Sequence, residues 1–165
     1  MKDTFPQDKK TNAFQEDKAE TVKAALEPRR KTCFNLRVKI LVVDDYPNSA
    51  AFLARSISKL GSKVKVISAA SAYQALECVQ DGVTDIVITD MDMPGMTGLE
   101  LIEKLQEHPE GHQIISFLIS ASDAPELKIN ARNLHVREVF HKPVHPERIC
   151  EVISRVLEEI HEELP

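Results

Sequence analysis

Five positions in this chain of 165 residues carry groups that could do chemistry together. Asp44 and Asp45 form an acid pair, Asp90 supplies a third carboxylate, Ser120 a hydroxyl and Lys142 an ammonium group. All stand at the ends of short strand-like runs: Val38 to Val43, Asp85 to Thr89, Ile114 to Ile119 and Glu138 to His141. Three carboxylates held about 4–5 Å apart would repel by several kcal/mol at an effective dielectric near 20, so full ionisation without help is unfavourable. A divalent cation removes the conflict. Mg²⁺ prefers oxygen ligands, binds to a few carboxylates while retaining waters, and can bridge to a phosphoryl group. With metal and Lys142 neutralising the cluster, one carboxylate can act as nucleophile towards phosphorus while positive charge stabilises the equatorial oxygens.

These positions can meet only if the apolar runs are neighbouring strands. Val38 to Val43 is β-branched and almost continuously apolar, as suits a strand covered on both faces. Pro47 to Leu60 carries Ala50, Leu53, Ile57 and Leu60 at helical spacing and stops at Gly61. Lys63 to Ser68 predicts a second strand, Ser71 a helix N-cap, and Ala72 to Gln80 a helix closed by Gly82. The third strand, Asp85 to Thr89, ends at Asp90 and is followed by a helix over Leu99 to Gln106. The fourth, Ile114 to Ile119, ends at Ser120 and precedes a weaker helix from about Ala124 to Leu134. A short fifth strand, Glu138 to His141, ends at Lys142-Pro143. Pro146 suits the first turn of a last helix with Ile149, Val152, Ile153, Val156, Leu157 and Ile160 on one face. Five strand–helix units in a row imply an α/β fold, a parallel sheet with helices on both faces. In such an open, doubly wound sheet the binding crevice lies beyond the carboxyl ends of the strands, where all five positions fall.

At this point the residues carry a family resemblance. Asp44-Asp45, the segment Asp90-Met91-Asp92-Met93-Pro94-Gly95-Met96-Thr97-Gly98, Ser120-Ala121 and Lys142-Pro143 together resemble the signature of response-regulator receiver domains, over about Leu36 to Ile160. The resemblance implies a flavodoxin-like (βα)5 fold and a phospho-accepting role in two-component signalling. It implies phosphorylation at Asp90, Mg²⁺ bound directly by Asp45, through water or a hydrogen bond by Asp44, by Asp90 itself, and by the backbone carbonyl of Asp92. Ser120 and the Ala121 N–H would hold the phosphoryl oxygens, with Lys142 as their ion-pair partner. Pro143 would shape the turn after the fifth strand, where a cis bond is admissible. The implied donor is a sensor histidine kinase or a histidine phosphotransfer protein, and the implied output is a protein-interaction surface of the fourth helix, fifth strand and fifth helix, with a homodimer as one outcome. One departure matters. Receivers commonly place Tyr or Phe three residues before the lysine, where this chain has Val139; Phe140 comes one residue later and, by strand alternation, faces the other side.

Each motif taken singly has a plainer reading. Asp-Asp after a strand is often a turn and a helix cap, a serine there a cap, and a lysine a solvated cation. Asp90-Met91-Asp92 also resembles the DxD pair of haloacid-dehalogenase-type phosphatases, but those place it on the first strand and need a cap domain. A receiver used only for docking is the other alternative, since a fold alone does not certify chemistry. The intact set of acids, hydroxyl and lysine favours phospho-acceptance over both, and a signalling module over an enzyme.

Composition limits the remaining classes. Apolar residues make up 42% and charged residues 28% of the chain, and no apolar run approaches the roughly 20 residues that span a bilayer. Residues 1–35 are polar, without a secretory pattern, and are expected to be a flexible or partly helical extension (Asn12 to Leu26) ahead of a receiver at 36–165. The expected compartment is the cytoplasm. A net charge of −5 gives no reason for nucleic-acid binding, and Arg29, Arg30 and Lys31 read as a solvated cluster. Cys33, Cys78 and Cys150 are too scattered for a zinc site or a disulfide framework, and the six histidines show no metal spacing on a shared face. Met91, Met93 and Met96 read as loop-packing residues. No output domain is expected after the last helix, unless the chain is a piece of a longer protein.

Overall fold

Alternation of side chains along the strands decides how this fold is layered. The computed structural model describes residues 37–80, 84–108 and 111–162. Five strands, β1 (Val38–Val43), β2 (Val64–Ala69), β3 (Ile86–Asp90), β4 (Ile115–Ser120) and β5 (Glu138–His141), form one sheet in the order β2-β1-β3-β4-β5. All four pairings are parallel. The central strands β3 and β4 are buried along their whole length, as expected of strands covered on both faces.

Ile40, Val42, Ile86, Ile88, Phe117, Ile119 and Phe140 point to one face, where α1 (Pro47–Ser58) and α5 (Pro146–Glu162) pack with Ala50, Leu53, Ile57, Ile149, Ile153 and Val156. Leu41, Val43 and Val87 point to the other, against α2 (Ala72–Gln80) and α3 (Gly98–Glu107) through Ala72, Ala75, Leu101 and Leu105. There Leu118 and Ile102 meet Leu127 of α4 (Pro125–Asn133), which buries only Leu127 and Ala131 and leaves Ile129 exposed. Cys78 and Cys150 pack at the edges of these clusters, and Met93 and Met96 are buried within one.

Local signals act as expected at most boundaries. Ser71 Oγ accepts the Gln74 N–H at 3.2 Å, and Pro47, Pro125 and Pro146 stand at the first turns of their helices. The differences are small, and β2, β3 and β4 each begin and end one residue later than the spacing predicts. The α1 helix ends at Ser58 and closes through tighter i→i+3 bonds from Lys59 and Leu60 before Gly61, a common way for a last turn to fray. The α3 helix begins one residue early at Gly98, and a 3₁₀ turn over Gly111–Gln113, unmarked by periodicity, leads into β4. The expected extension at 1–35, with Cys33 and its helix at Asn12 to Leu26, and Gly82 lie outside the described residues.

Phe117 is fully buried in the centre of the sheet and stacks on Phe140 with ring centroids 6.0 Å apart. Phe117→Ala is expected to cost about 3–5 kcal/mol, a large share of the roughly 5–15 kcal/mol that holds a domain folded. Ile129→Ala, at an exposed position, should change stability by less than about 0.5 kcal/mol; urea denaturation of the two variants measures both.

Candidate functional site

The carboxyl ends of β1, β3, β4 and β5 converge on one rim. Asp44 follows β1, and its Oδ1 accepts the Tyr46 N–H at 2.8 Å, an Asx turn that starts α1. The plain reading of the acid pair as a turn is therefore correct for one oxygen of Asp44, which leaves the rest of the pair available. Asp45 is exposed and Asp90, the last residue of β3, is buried. One oxygen from each of Asp44, Asp45 and Asp90 lies within 4.8 Å of the other two.

Lys142 Nζ lies 2.5 Å from Asp90 Oδ1, in a direct charge contact. The Asp90 carboxyl is pushed above its ordinary value of 3.8, chiefly by burial; Lys142 opposes the shift and the charges of Asp44 and Asp92 add to it. A buried carboxylate oxygen with unused acceptor capacity, facing two more carboxylates, fits a hard divalent cation and a phosphoryl group.

Two loops position these groups in different ways. After β3, Met91 N–H donates to Ile119 O at 2.8 Å and Gly98 N–H returns to Met91 O at 2.9 Å. Between them Pro94-Gly95 makes a turn with Gly95 at φ +80°, a conformation that favours glycine. A Cβ on Gly98 would lie 2.3 Å from the carbonyl oxygen of Asp90, so only glycine lets α3 begin this close to Asp90. Thr97 caps α3 in a reciprocal box: its Oγ1 accepts the Glu100 N–H at 3.3 Å, and Glu100 Oε2 accepts the Thr97 N–H at 2.8 Å.

After β4, hydroxyls build the loop. Ser120 Oγ accepts the Ser122 N–H at 3.0 Å, and Ser122 Oγ accepts the Ala124 N–H at 3.2 Å. Ser120 is buried, and its carbonyl accepts the Lys142 N–H at 2.8 Å, tying the hydroxyl and the ammonium to one strand pair. Ala121 is exposed at the start of this loop. The Lys142–Pro143 peptide bond is cis.

The structure thus groups Asp44, Asp45, Asp90 and Lys142, with Ser120 on the adjoining strand end. The Asp92 side chain is exposed and lies outside the three-carboxylate group, although its charge reaches Asp90. Val139 is half-buried beside Ile102, Leu118 and Leu127, whereas Phe140 stacks with Phe117 on the opposite face, so the departure read from alternation is real. Gly98, Ser122 and the Thr97–Glu100 box had no assigned part in the sequence reading. Of these, the T-x-x-E spacing before an apolar helical run was a readable cap signal. Beside the site a cavity of about 580 Å³ is lined by Asp44, Phe52, Ile119, Lys142, Pro143 and Ile149.

With that rim in view, the comparisons are direct: residues 40–154 match the family described as the response regulator receiver domain. This chain belongs to that family. The receiver is 30% identical over 120 residues to a two-component response regulator of Oryza sativa subsp. japonica, covering 71% of this chain and 69% of that protein. It is 26% identical over 120 residues to a probable chemotaxis protein CheY of Rhizobium etli, covering 73% of this chain and 92% of that one. Among solved structures, the N-terminal domain of an uncharacterized protein from Wolinella succinogenes superposes with a TM-score of 0.67 at 27% identity, covering 76% of this chain and 99% of that chain. The receiver is therefore a signalling module of the two-component type with a flavodoxin-like fold. Among its described residues no helix is long and apolar enough to cross a membrane.

Gly98→Ala is expected to destabilise the receiver by about 1–3 kcal/mol, because the atom it meets is backbone and cannot swing aside. Thermal unfolding would show it. The cap in turn has a pH signature. Hydrogen bonds to Thr97 hold the Glu100 carboxyl below its ordinary value of 4.5, so its contribution is complete above that value and is lost as pH falls through the lower folded-state value. The stability gap between the unaltered receiver and Glu100→Gln should accordingly be present at neutral pH and shrink in acid, as read by denaturant midpoints over the acid range.

Proposed function

We propose that this receiver accepts a phosphoryl group on Asp90 from a phosphohistidine donor, a sensor histidine kinase or a histidine phosphotransfer protein, and signals by changing a protein-interaction surface. The observation that carries this reading is the buried Asp90 carboxylate, in contact with Lys142 and faced by Asp44 and Asp45. An Asp90 oxygen forms a bond to phosphorus as the phosphorus–nitrogen bond of the donor breaks, the electron pair leaving with the imidazole nitrogen. Lys142 stabilises the negative charge of the transferring group, and the Ser120 hydroxyl and Ala121 N–H are the donors to its oxygens. Asp44, Asp45, Asp90 and the backbone carbonyl of Asp92 would hold Mg²⁺, which when bound supplies the charge neutralisation that three neighbouring carboxylates require. Phe52, exposed at the wall of the 580 Å³ cavity, offers an apolar contact to the donor protein.

The output surface in this reading is α4, β5 and α5, with an unidentified protein, or a second receiver, as its partner. Residues 36–165 act as the signalling unit, in the cytoplasm and without nucleic-acid contact. The chemistry is stoichiometric. A small phosphodonor such as acetyl phosphate, with Mg²⁺, should add one phosphoryl group, and peptide mapping by mass spectrometry should place it on Asp90. Asp90→Asn and EDTA should each abolish the label. Labelling that survives either change would refute the assignment, and sustained hydrolysis of a phosphomonoester would point instead to a DxD phosphatase. The variant should stay folded, because the substitution removes a buried charge that Lys142 only partly offsets.

A further inference from the structure

We propose that His141 and Asp123 form a clasp that holds the loop after β4 in its unphosphorylated position, doing through an ion pair what Val139 cannot do through an aromatic ring. This rests on the reading of Asp90 as the phospho-acceptor. Val139 offers no polar atom and is packed against Ile102, Leu118 and Leu127. His141 lies two residues further along β5, hence on the same side of the strand, and its ring reaches the loop: Nε2 is 3.2 Å from Asp123 Oδ2. Its register partner across the sheet is Ser120, and the next residue in the chain is Lys142.

Asp123 is carried by the segment that Ser120 organises. A Ser120 side chain that rotates to reach a phosphoryl group displaces the Oγ that accepts the Ser122 N–H, and the residue after Ser122 is Asp123. Loop position and clasp are therefore mechanically linked, and a contact made in only one of two states biases the equilibrium between them. The charged groups at the contact are Asp123 itself and Lys128 of α4, whose Nζ lies 3.6 Å from Asp123 Oδ1. Lysine ammonium groups do not titrate near neutrality, whereas an imidazole changes charge between about pH 5 and 8. Protonation strengthens the pair, so the clasp opposes switching more firmly in mild acid. The contact is exposed, which limits its effect to roughly two- to fivefold in an equilibrium constant.

Beryllofluoride with Mg²⁺, titrated into the full chain and followed by the backbone amide resonances of residues 120–134, tests this. At about pH 6, His141→Gln and Asp123→Asn should each bind the phosphoryl mimic about two- to fivefold more tightly than the unaltered chain. The double variant should bind no more tightly than the tighter single one, and the advantage of His141→Gln should shrink at about pH 8. Equal affinities in the unaltered chain and both single variants would overturn the clasp alone, as would additive effects or an advantage for His141→Gln that does not change with pH. No binding of beryllofluoride by the unaltered chain would overturn the phospho-acceptor reading and the clasp with it.

Discussion

Charge balance around Asp90 is the constraint on which the rim of this receiver depends. The carboxylate is buried, two further carboxylates face it, and the Lys142 ammonium lies against it. Burial and like charge both disfavour ionisation, and Lys142 offsets them only in part, which is why the group is held above its ordinary value. A site left in that condition gains most from whatever brings more positive charge or spreads the negative charge over more oxygens. Such an electrostatic arrangement costs stability, which the apolar layers on both sides of the sheet must supply.

The fold meets that constraint by treating its two neighbouring loops unequally. The segment after β3 is closed by backbone bonds between Met91, Ile119 and Gly98, by a capping box, and by two buried methionines, so Asp90 has little freedom. After β4 the connection depends on serine hydroxyls, each of which could serve another acceptor or donor. It leads into α4, a helix with only two buried side chains. Rigid support belongs where atoms must be placed within fractions of an ångström, and exchangeable hydrogen bonds belong where a change of state must be transmitted.

Much of this was legible in the sequence because its signals are local. Continuous β-branched runs and helical spacing set the elements, and parallel connections oblige the strand ends to share a rim, so Asp44, Asp45, Asp90, Ser120 and Lys142 could be grouped before any distance was known. What could not be read depends on close approach in space. The need for glycine at position 98 comes from the carbonyl of Asp90, eight residues earlier, folding back to 2.3 Å from where a Cβ would stand. The part played by Ser122 depends on which way the Ser120 hydroxyl turns, a choice of rotamer that no spacing encodes. His141 carried no signal either, because its neighbour Asp123 is eighteen positions away and belongs to no motif.

The valine at position 139 has an energetic consequence of its own. An aromatic ring there could alternate between an exposed and a buried rotamer, each filling or vacating space beside the loop; Val139, packed with Ile102, Leu118 and Leu127, has no such second arrangement. A polar contact such as His141–Asp123 is a weaker substitute, since moving a population from one state almost wholly to the other takes about 5.5 kcal/mol, and an exposed ion pair supplies no more than about 1 kcal/mol. In the proposed switch the driving term therefore comes from the phosphoryl group itself, through Lys142, Ser120 and the backbone beyond it. In that proposed switch the side-chain clasp sets the threshold at which the loop moves, while the charge added at Asp90 decides the direction.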